Sequence, residues 1–316
     1  MNSVGPLRNQ RIGVFGKGGS GKSTVTVLTA RALLRQGYSV CVLDADSTNF
    51  GLHDALGIKH PPASLLEYYG GTVFSGGSVS CPVDDPTRLP GAHVSLEAIP
   101  DRYIGHTPDG IRFLIAGKLG ALGPGAGCDG PIAKIARDLT LRPETENLVT
   151  LVDLKAGVED AARGLITGVD WAIAVVDPTK SAVRIAEDLS NLVYRLHEGD
   201  MPATEHLENP DLVELANRIY RHSRVRLVLT VLNRIADGDT EQLLREALLD
   251  YGIEPVAVIH EDPAISASWF SGGALRTSIA ERDADLLVSA LEAAAKTSGK
   301  GGDHVSRGPL AQRARL

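Results

Sequence analysis

The nine residues Gly16-Lys17-Gly18-Gly19-Ser20-Gly21-Lys22-Ser23-Thr24 constrain this chain more than any other stretch. They satisfy G-x-x-x-x-G-K-[ST] between a short apolar run, Arg11 to Gly16, and a segment, TVTVLTARALLRQ, whose apolar residues recur at helical spacing. Strand, glycine loop, helix is the context in which this pattern cradles phosphate. The glycines let backbone N–H groups converge on phosphate oxygens, and the positive end of the helix dipole points to the same place. Gly18, Gly19, Ser20, Gly21, Lys22, Ser23 and Thr24 are therefore the expected contacts of a nucleoside triphosphate. Lys22 is expected to bridge its β- and γ-phosphates, and Ser23 to ligate Mg²⁺.

The rest of the chain alternates in kind. Strands are predicted at Ser39–Leu43, Ile111–Ile115, Leu148–Val152, Trp171–Val176, Val225–Leu232 and Pro255–Ile259. Helices are predicted near Ile132–Leu139, Glu159–Ile166, Ala182–Leu196, Asp211–Tyr220, Thr240–Tyr251 and Ile279–Ala295. This order is that of an α/β fold: one doubly wound, mostly parallel sheet of the P-loop NTPase type, in a single domain over residues 1–296. With only 4% aromatic residues the core must be aliphatic, which suits strands buried under helices on both faces. Residues 58–110 break the rhythm. They are dense in Gly, Pro and Ser, with an ordered pattern only at Ser64–Tyr69 and Val94–Ile99, and read as an irregular insertion. A glycine-rich bend is predicted over Gly117–Gly127. Residues 297–316, rich in Gly, Lys, Arg and Ser, are expected to be a disordered tail.

Acidic residues outnumber basic ones, 39 to 32, for a net charge of −7, which argues against nucleic acid or an anionic membrane surface as the partner. No run approaches the roughly 18 apolar residues of a membrane span, and residues 1–10 have no apolar signal core. Cys41, Cys81 and Cys128 are too scattered for a disulfide framework or a C-x-x-C site. A cytoplasmic protein is the expectation.

Lys17, directly after the first glycine, makes the loop more specific. KGGSGKST resembles the deviant Walker A group of ATPases, the SIMIBI class of MinD- and ParA-like proteins. In that group this lysine reaches across a two-fold interface to the nucleotide of the other subunit, as an arginine finger does elsewhere. The resemblance implies a homodimer that binds ATP or ADP with Mg²⁺ and hydrolyses ATP, with Lys17 and Lys22 catalytic. The group's D-x-D-x-x-N falls on Asp44, Asp46 and Asn49, which implies Asp44 in the magnesium shell and Asp46 on the attacking water. A carboxylate at a strand's C-terminal end faces the ligand crevice of an open α/β sheet, which agrees with both roles. Asp153 ends another strand at the Walker B position and joins Ser23 and Asp44 in the magnesium set, directly or through water. Gly157 then falls where a backbone N–H senses the γ-phosphate. Val231-Leu232-Asn233-Arg234 is similar to the group's adenine-reading V-L-N-[KR], since the Asn233 amide offers a donor and an acceptor to a base edge. By the same resemblance, His260 to Pro263 line the base pocket.

Four longer stretches, DADSTNFGLHDALGI, IPDRYIGHTPDGIRFLIAGKLGALGPGAGC, AGVEDAARG and VVDPTKSAVRIAEDL, resemble the CooC-type accessory ATPases of carbon monoxide dehydrogenase, over most of residues 10–280. That resemblance implies a maturation factor serving a client metalloenzyme. Lys155 departs from the pattern, standing where that type tends to carry an acidic residue. So does the metal motif: where the type has C-x-C, this chain reads Cys128-Asp129-Gly130. One Cys128 from each of two subunits gives two thiolates, short of the roughly four ligands that nickel or zinc takes. Maturation without direct metal carriage is the expectation. Two other readings share the nucleotide loops. A MinD/ParA-type positioning ATPase needs a basic patch or a membrane-binding amphipathic helix, which neither the acidic total nor GKGGDHVSRGPLAQRARL supplies. A nucleotide-dependent scaffold would bind without turnover.

Overall fold

The computed structural model describes residues 5–119, 128–142, 147–200 and 207–298. Among them, ten strands follow in order: β1 (Gln10–Gly16), β2 (Ser39–Asp44), β3 (His93–Ser95), β4 (Gly105–His106), β5 (Arg112–Ile115), β6 (Thr140–Arg142), β7 (Leu148–Asp153), β8 (Trp171–Val176), β9 (Leu227–Ile235) and β10 (Ala257–His260). Eight form one sheet in the order β10-β9-β8-β1-β7-β2-β5-β4, parallel except for β4 on β5. The other two, β3 and β6, pair in parallel by themselves. The helices are α1 (Lys22–Arg35), α2 (Leu52–Ala55), α3 (Leu65–Tyr68), α4 (Gly130–Asp138), α5 (Glu159–Ala162), α6 (Lys180–His197), α7 (Pro210–Arg221), α8 (Gly238–Leu249), α9 (Pro263–Ser271) and α10 (Ala280–Ser298). This is the doubly wound, mostly parallel architecture expected.

Alternate residues of the central strands feed two cores. Val40 and Val42 of β2 join α1 and α10 on one face, while Cys41 and Leu43 join α4, α6 and α8 on the other. Covered on both faces, the strands can be almost continuously aliphatic, and each buried Val, Leu or Ile contributes about 1.5–3 kcal/mol. The chain reverses direction across the sheet at β1, which pairs with β7 on one side and β8 on the other. Ligands of open α/β sheets bind outside the carboxyl ends of strands at such a point, and the glycine loop lies there.

Several boundaries differ from the sequence reading. Residues 58–110, expected as an irregular insertion in the domain, contribute to its core: Leu65, Val79, Leu89, Leu96, Ile99 and Tyr103 are buried there, and β4 edges the sheet. Periodicity misses them because each short turn contributes one apolar side chain instead of a stripe. Strand β9 runs on to Ile235, past Asn233. The helix predicted to Ile166 stops at Ala162, before Gly164 at φ 95°, and a 3₁₀ turn over Leu165–Gly168 follows. Helix α10 continues to Ser298, two residues into the segment expected to be a tail; residues 299–316 and most of the Gly117–Gly127 bend lie outside the described residues. Helix α9 was not anticipated at all, although Asp262-Pro263 is a start signal, with Asp262 accepting from the Ala264 amide and Pro263 in the first turn.

Candidate nucleotide-binding site

The loop after β1 turns through glycines that a side chain would obstruct. Gly21 has φ 92°, and a Cβ there would lie 2.1 Å from the Asn233 amide nitrogen. Helix α1 begins directly after it with no side-chain cap, whereas α6, α8 and α9 are capped by Thr179, Asp237 and Asp262. The amides at its N-terminus therefore remain available to an anion, and the helix dipole favours one.

A cleft of about 680 Å³ opens on this loop, lined by Gly18, Gly19, Gly21, Lys22, Ser23 and Thr24 together with Asp46, Thr48 and Asn49 from the segment after β2. Its far wall is Asn233, Arg234, His260, Glu261, Asp262, Ile265 and Trp269. The sheet thus brings to one cleft residues more than 200 positions apart. Two of them also brace the loop. The Asn233 amide donates to the Ser20 carbonyl at 2.7 Å, and Arg234, at φ 61°, donates to the Gly19 carbonyl at 2.8 Å. Ser20 itself is fully buried behind the loop and lies outside the cleft lining.

Lys22 is buried, its ammonium donating to the Lys17 carbonyl at 3.3 Å. Burial lowers its pKa, and Asp153 and Asp46 oppose that shift. Lys17 projects from the loop, partly exposed, with its ammonium 3.8 Å from the Asp177 carboxylate. On the acidic side, the Ser23 hydroxyl donates to Asp153 Oδ2 at 2.7 Å and accepts from the Asn49 amide at 2.8 Å, while Thr26 donates to Asp153 Oδ1 at 3.1 Å. Burial pushes the Asp153 carboxyl up to about 6 against the Ser23 and Lys22 contacts. A hydroxyl and a carboxylate side by side, both hard oxygen donors, fit Mg²⁺. Asp46 lines the cleft, one oxygen accepting from the Thr48 amide and hydroxyl and the Asn49 amide.

Asp44 is placed differently from its neighbours. It lies opposite Asp153 in register, is 2% exposed, and gives its Oδ2 to the ammonium of Lys118 at 2.7 Å. Burial pushes it up to about 7 despite Lys118, and Asp153 and Asp46 add to the push. The same ammonium holds the carbonyls of Asp46 and Asn49. Lys118 is a residue that sequence reasoning missed, because nothing in IAGKLG announces a contact 74 positions back. Trp269 is another: its indole N–H reaches the Thr24 hydroxyl at 2.8 Å. Gly157 has φ 96° and donates its N–H to the Gly16 carbonyl at 3.1 Å, tying the segment after Asp153 to the phosphate loop. Lys155 pairs with Asp129, as does Arg163, at 2.9 Å. Cys128 is exposed and lies outside this cleft, and among the described residues no group of three or more His, Cys, Asp or Glu is arranged to hold a metal ion.

A sequence model described as the CobQ/CobB/MinD/ParA nucleotide binding domain matches residues 14–273. The chain belongs to this family. It is 31% identical over 189 residues to an uncharacterized ATP-binding protein of Methanocaldococcus jannaschii, covering 59% of this chain and 74% of that one. It is 30% identical over 202 residues to the carbon monoxide dehydrogenase accessory protein CooC of Rhodospirillum rubrum, covering 59% and 70%. The fold is that of the cell division ATPase MinD of Pyrococcus furiosus, with a TM-score of 0.57 at 18% identity over 90% of this chain and 99% of that one. MinD of Pyrococcus horikoshii, solved with Mg-ADP, gives 0.56 at 18% identity over 92% and 99%. Family membership and the cleft together make this a nucleotide-binding protein of an ATPase family. Among the described residues, no helix is long and apolar enough to cross a membrane.

Proposed function

We propose that the chain is a cytoplasmic, Mg²⁺-dependent ATPase that works as a dimeric switch and serves the maturation of a client metalloenzyme. The observation that carries the ATPase reading is the convergence of Lys17, Lys22, Ser23, Asp46, Asp153 and Asn233 on the loop after β1. In this reading Lys22 and the first amides of α1 hold the phosphates, and Asn233 and Arg234 hold the base end. Asp46, in the lining of the cleft, orients the attacking water. Ser23 and Asp153, with Asp44 through water, would hold Mg²⁺, which supplies charge neutralisation on the phosphate oxygens. Lys17, on the outer edge of the loop, is the cation that each protomer lends to its partner's nucleotide. ATP shifts a conformational equilibrium only through its different affinity for the two states, and paired lysines give the closed dimer that difference.

The maturation reading rests on the 30% identity with CooC, and the substitution of glycine at position 130 supports maturation without direct nickel or zinc carriage. Client choice is assigned to residues 58–130. Phosphate release and sedimentation test the switch together. Lys22→Ala is expected to lose ATP binding. Lys17→Ala is expected to bind ATP, remain monomeric and turn over on the order of 10³-fold more slowly, the scale of a lost arginine finger. Wild-type turnover by Lys17→Ala would overturn the dimer mechanism. Absence of phosphate release in a single turnover by the wild type would leave a scaffold. Activation of a co-expressed carbon monoxide dehydrogenase that is indifferent to Lys22→Ala would overturn the maturation role.

A further inference from the structure

Two cysteines far apart in sequence meet across one glycine. Cys128 lies two residues before Gly130, is exposed, and accepts the Gly130 amide N–H on its sulfur at 3.3 Å. Cys81 comes from the segment 58–110 and is half-buried. Its Sγ lies 2.5 Å, and its Cβ 2.8 Å, from the point that a Cβ on residue 130 would occupy. The Cys81 thiol thus fills the space of a side chain at position 130, and both sulfurs lie against the same backbone. Burial raises the Cys81 thiol, and Cys128 is near enough to add to that shift. The approach is held firmly: Lys134 of α4 donates to Ser80 Oγ at 2.6 Å and to Asp85 Oδ2 at 2.8 Å, and Arg137 donates to the Thr87 carbonyl at 3.0 Å. Asp129, between Cys128 and Gly130, carries the contacts to Lys155 and Arg163, so the pair adjoins the segment that follows Asp153.

We propose that Cys81 and Cys128 form a modification site for peroxide-class oxidants, closing reversibly into an intramolecular disulfide. The exposed Cys128 thiolate attacks one oxygen of hydrogen peroxide; the O–O bond breaks, Cys128 becomes a sulfenic acid, and the released hydroxide takes up the proton that Cys128 lost. The Cys81 thiolate then attacks the Cys128 sulfur, forming S–S and breaking S–O, and the departing hydroxide takes the Cys81 proton. The two sulfurs lose two electrons and peroxide becomes two waters. A dithiol reductant reverses the step.

The test treats the full chain with stoichiometric hydrogen peroxide, alkylates it and maps the peptides by mass. The expected product joins the Cys81 and Cys128 peptides within one chain, lighter by two hydrogens, and is lost on dithiothreitol. Cys41, fully buried with its thiol pushed up to about 12, is the internal control for an intact fold. Cys81→Ser is expected to let Cys128 oxidise onward to sulfinic acid, and Gly130→Ala, which crowds the Cys81 sulfur, to lower the yield of the cross-link. The proposal is overturned if Cys81 of the wild type stays alkylatable while Cys128 is over-oxidised, stays reduced, or links two copies of the chain.

Discussion

The ammonium of Lys17 and the carboxylate of Asp177, at the end of β8, stand 3.8 Å apart in the same chain. A lysine held by its own subunit must leave that partner before it can serve another. The pair is partly exposed, so its strength is only about 0.2–1 kcal/mol. Each dimer breaks this pair in both protomers, so Asp177→Asn is expected to strengthen nucleotide-dependent dimerisation by about 2- to 30-fold, the factor that twice this energy corresponds to. Sedimentation over a protein dilution series with a non-hydrolysable ATP analogue reads it. A weaker dimer in Asp177→Asn would mean that Asp177 acts across the interface instead.

Lys118 positions the loop that carries Asp46 and Asn49. Lys118→Met removes three acceptor contacts at once and leaves Asp44 buried without its cation. A lone buried carboxylate would ordinarily cost about 3–5 kcal/mol, but Asp44 sits near 7 and accepts a proton cheaply at neutral pH. The expected loss in urea unfolding is accordingly smaller, about 1–2 kcal/mol. A carboxyl whose folded pKa is raised contributes stability below its unfolded value that is lost as pH rises through the folded one. Removing Lys118, which lowers Asp44, raises that carboxyl further, so the variant goes on losing stability above pH 7 where the wild type levels off, and its deficit should widen between pH 6 and pH 8. Turnover is expected to fall by about tenfold, the scale of a loosened positioning contact, with partial rescue by Lys118→Arg. Unchanged turnover with the same stability loss would make Lys118 purely structural.

These two lysines mark the limit of what the sequence discloses. The glycine loop was legible because its pattern is local: strand, glycines, Lys22 and helix are contiguous, and a strand that ends in Asp153 announces a residue at the carboxyl edge of the sheet. Lys118, Trp269 and Asp177 act through partners 74, 245 and 160 positions away, set by the order in which strands pair. No spacing rule encodes that order. The segment 58–110 was illegible for another reason. Its buried residues hang on short turns fixed by side-chain contacts to α4, such as Lys134 to Asp85, so neither a helical nor a strand period is present.

Asp262 joins the starts of α9 and α10. Its oxygens accept from the amides of Ala264, Ser278 and Ile279 at 2.6–2.9 Å and from the Ser278 hydroxyl at 2.8 Å. Burial alone would raise this carboxyl, but the Ile279 and Ser278 contacts outweigh it and hold the group below the usual range. A depressed folded pKa contributes stability above the unfolded value, 3.8, that is lost as pH falls through the folded one. Asp262→Asn is expected to cost about 2 kcal/mol. In urea titrations the gap from wild type should stay level between about pH 5 and 8 and narrow below about pH 4, following the carboxyl's titration. A gap that stays constant into acid would show that the Asp262 charge contributes nothing.

Trp269 gives a direct reading of the cleft. The chain has two tryptophans, and Trp171 is fully buried in the sheet core, so a nucleotide can reach only Trp269. Its N–H is anchored on Thr24, within the first turn of α1, which couples the indole to the helix that follows the glycine loop. ATP binding is expected to change the intrinsic emission in a saturable way, and Trp269→Phe to abolish that change. Phenylalanine keeps an apolar ring in the wall and loses one hydrogen bond of about 0.5–1.5 kcal/mol, so affinity measured by calorimetry should weaken by no more than about tenfold. If emission responds equally in Trp269→Phe, the nucleotide is perturbing the core around Trp171 and does not approach Trp269.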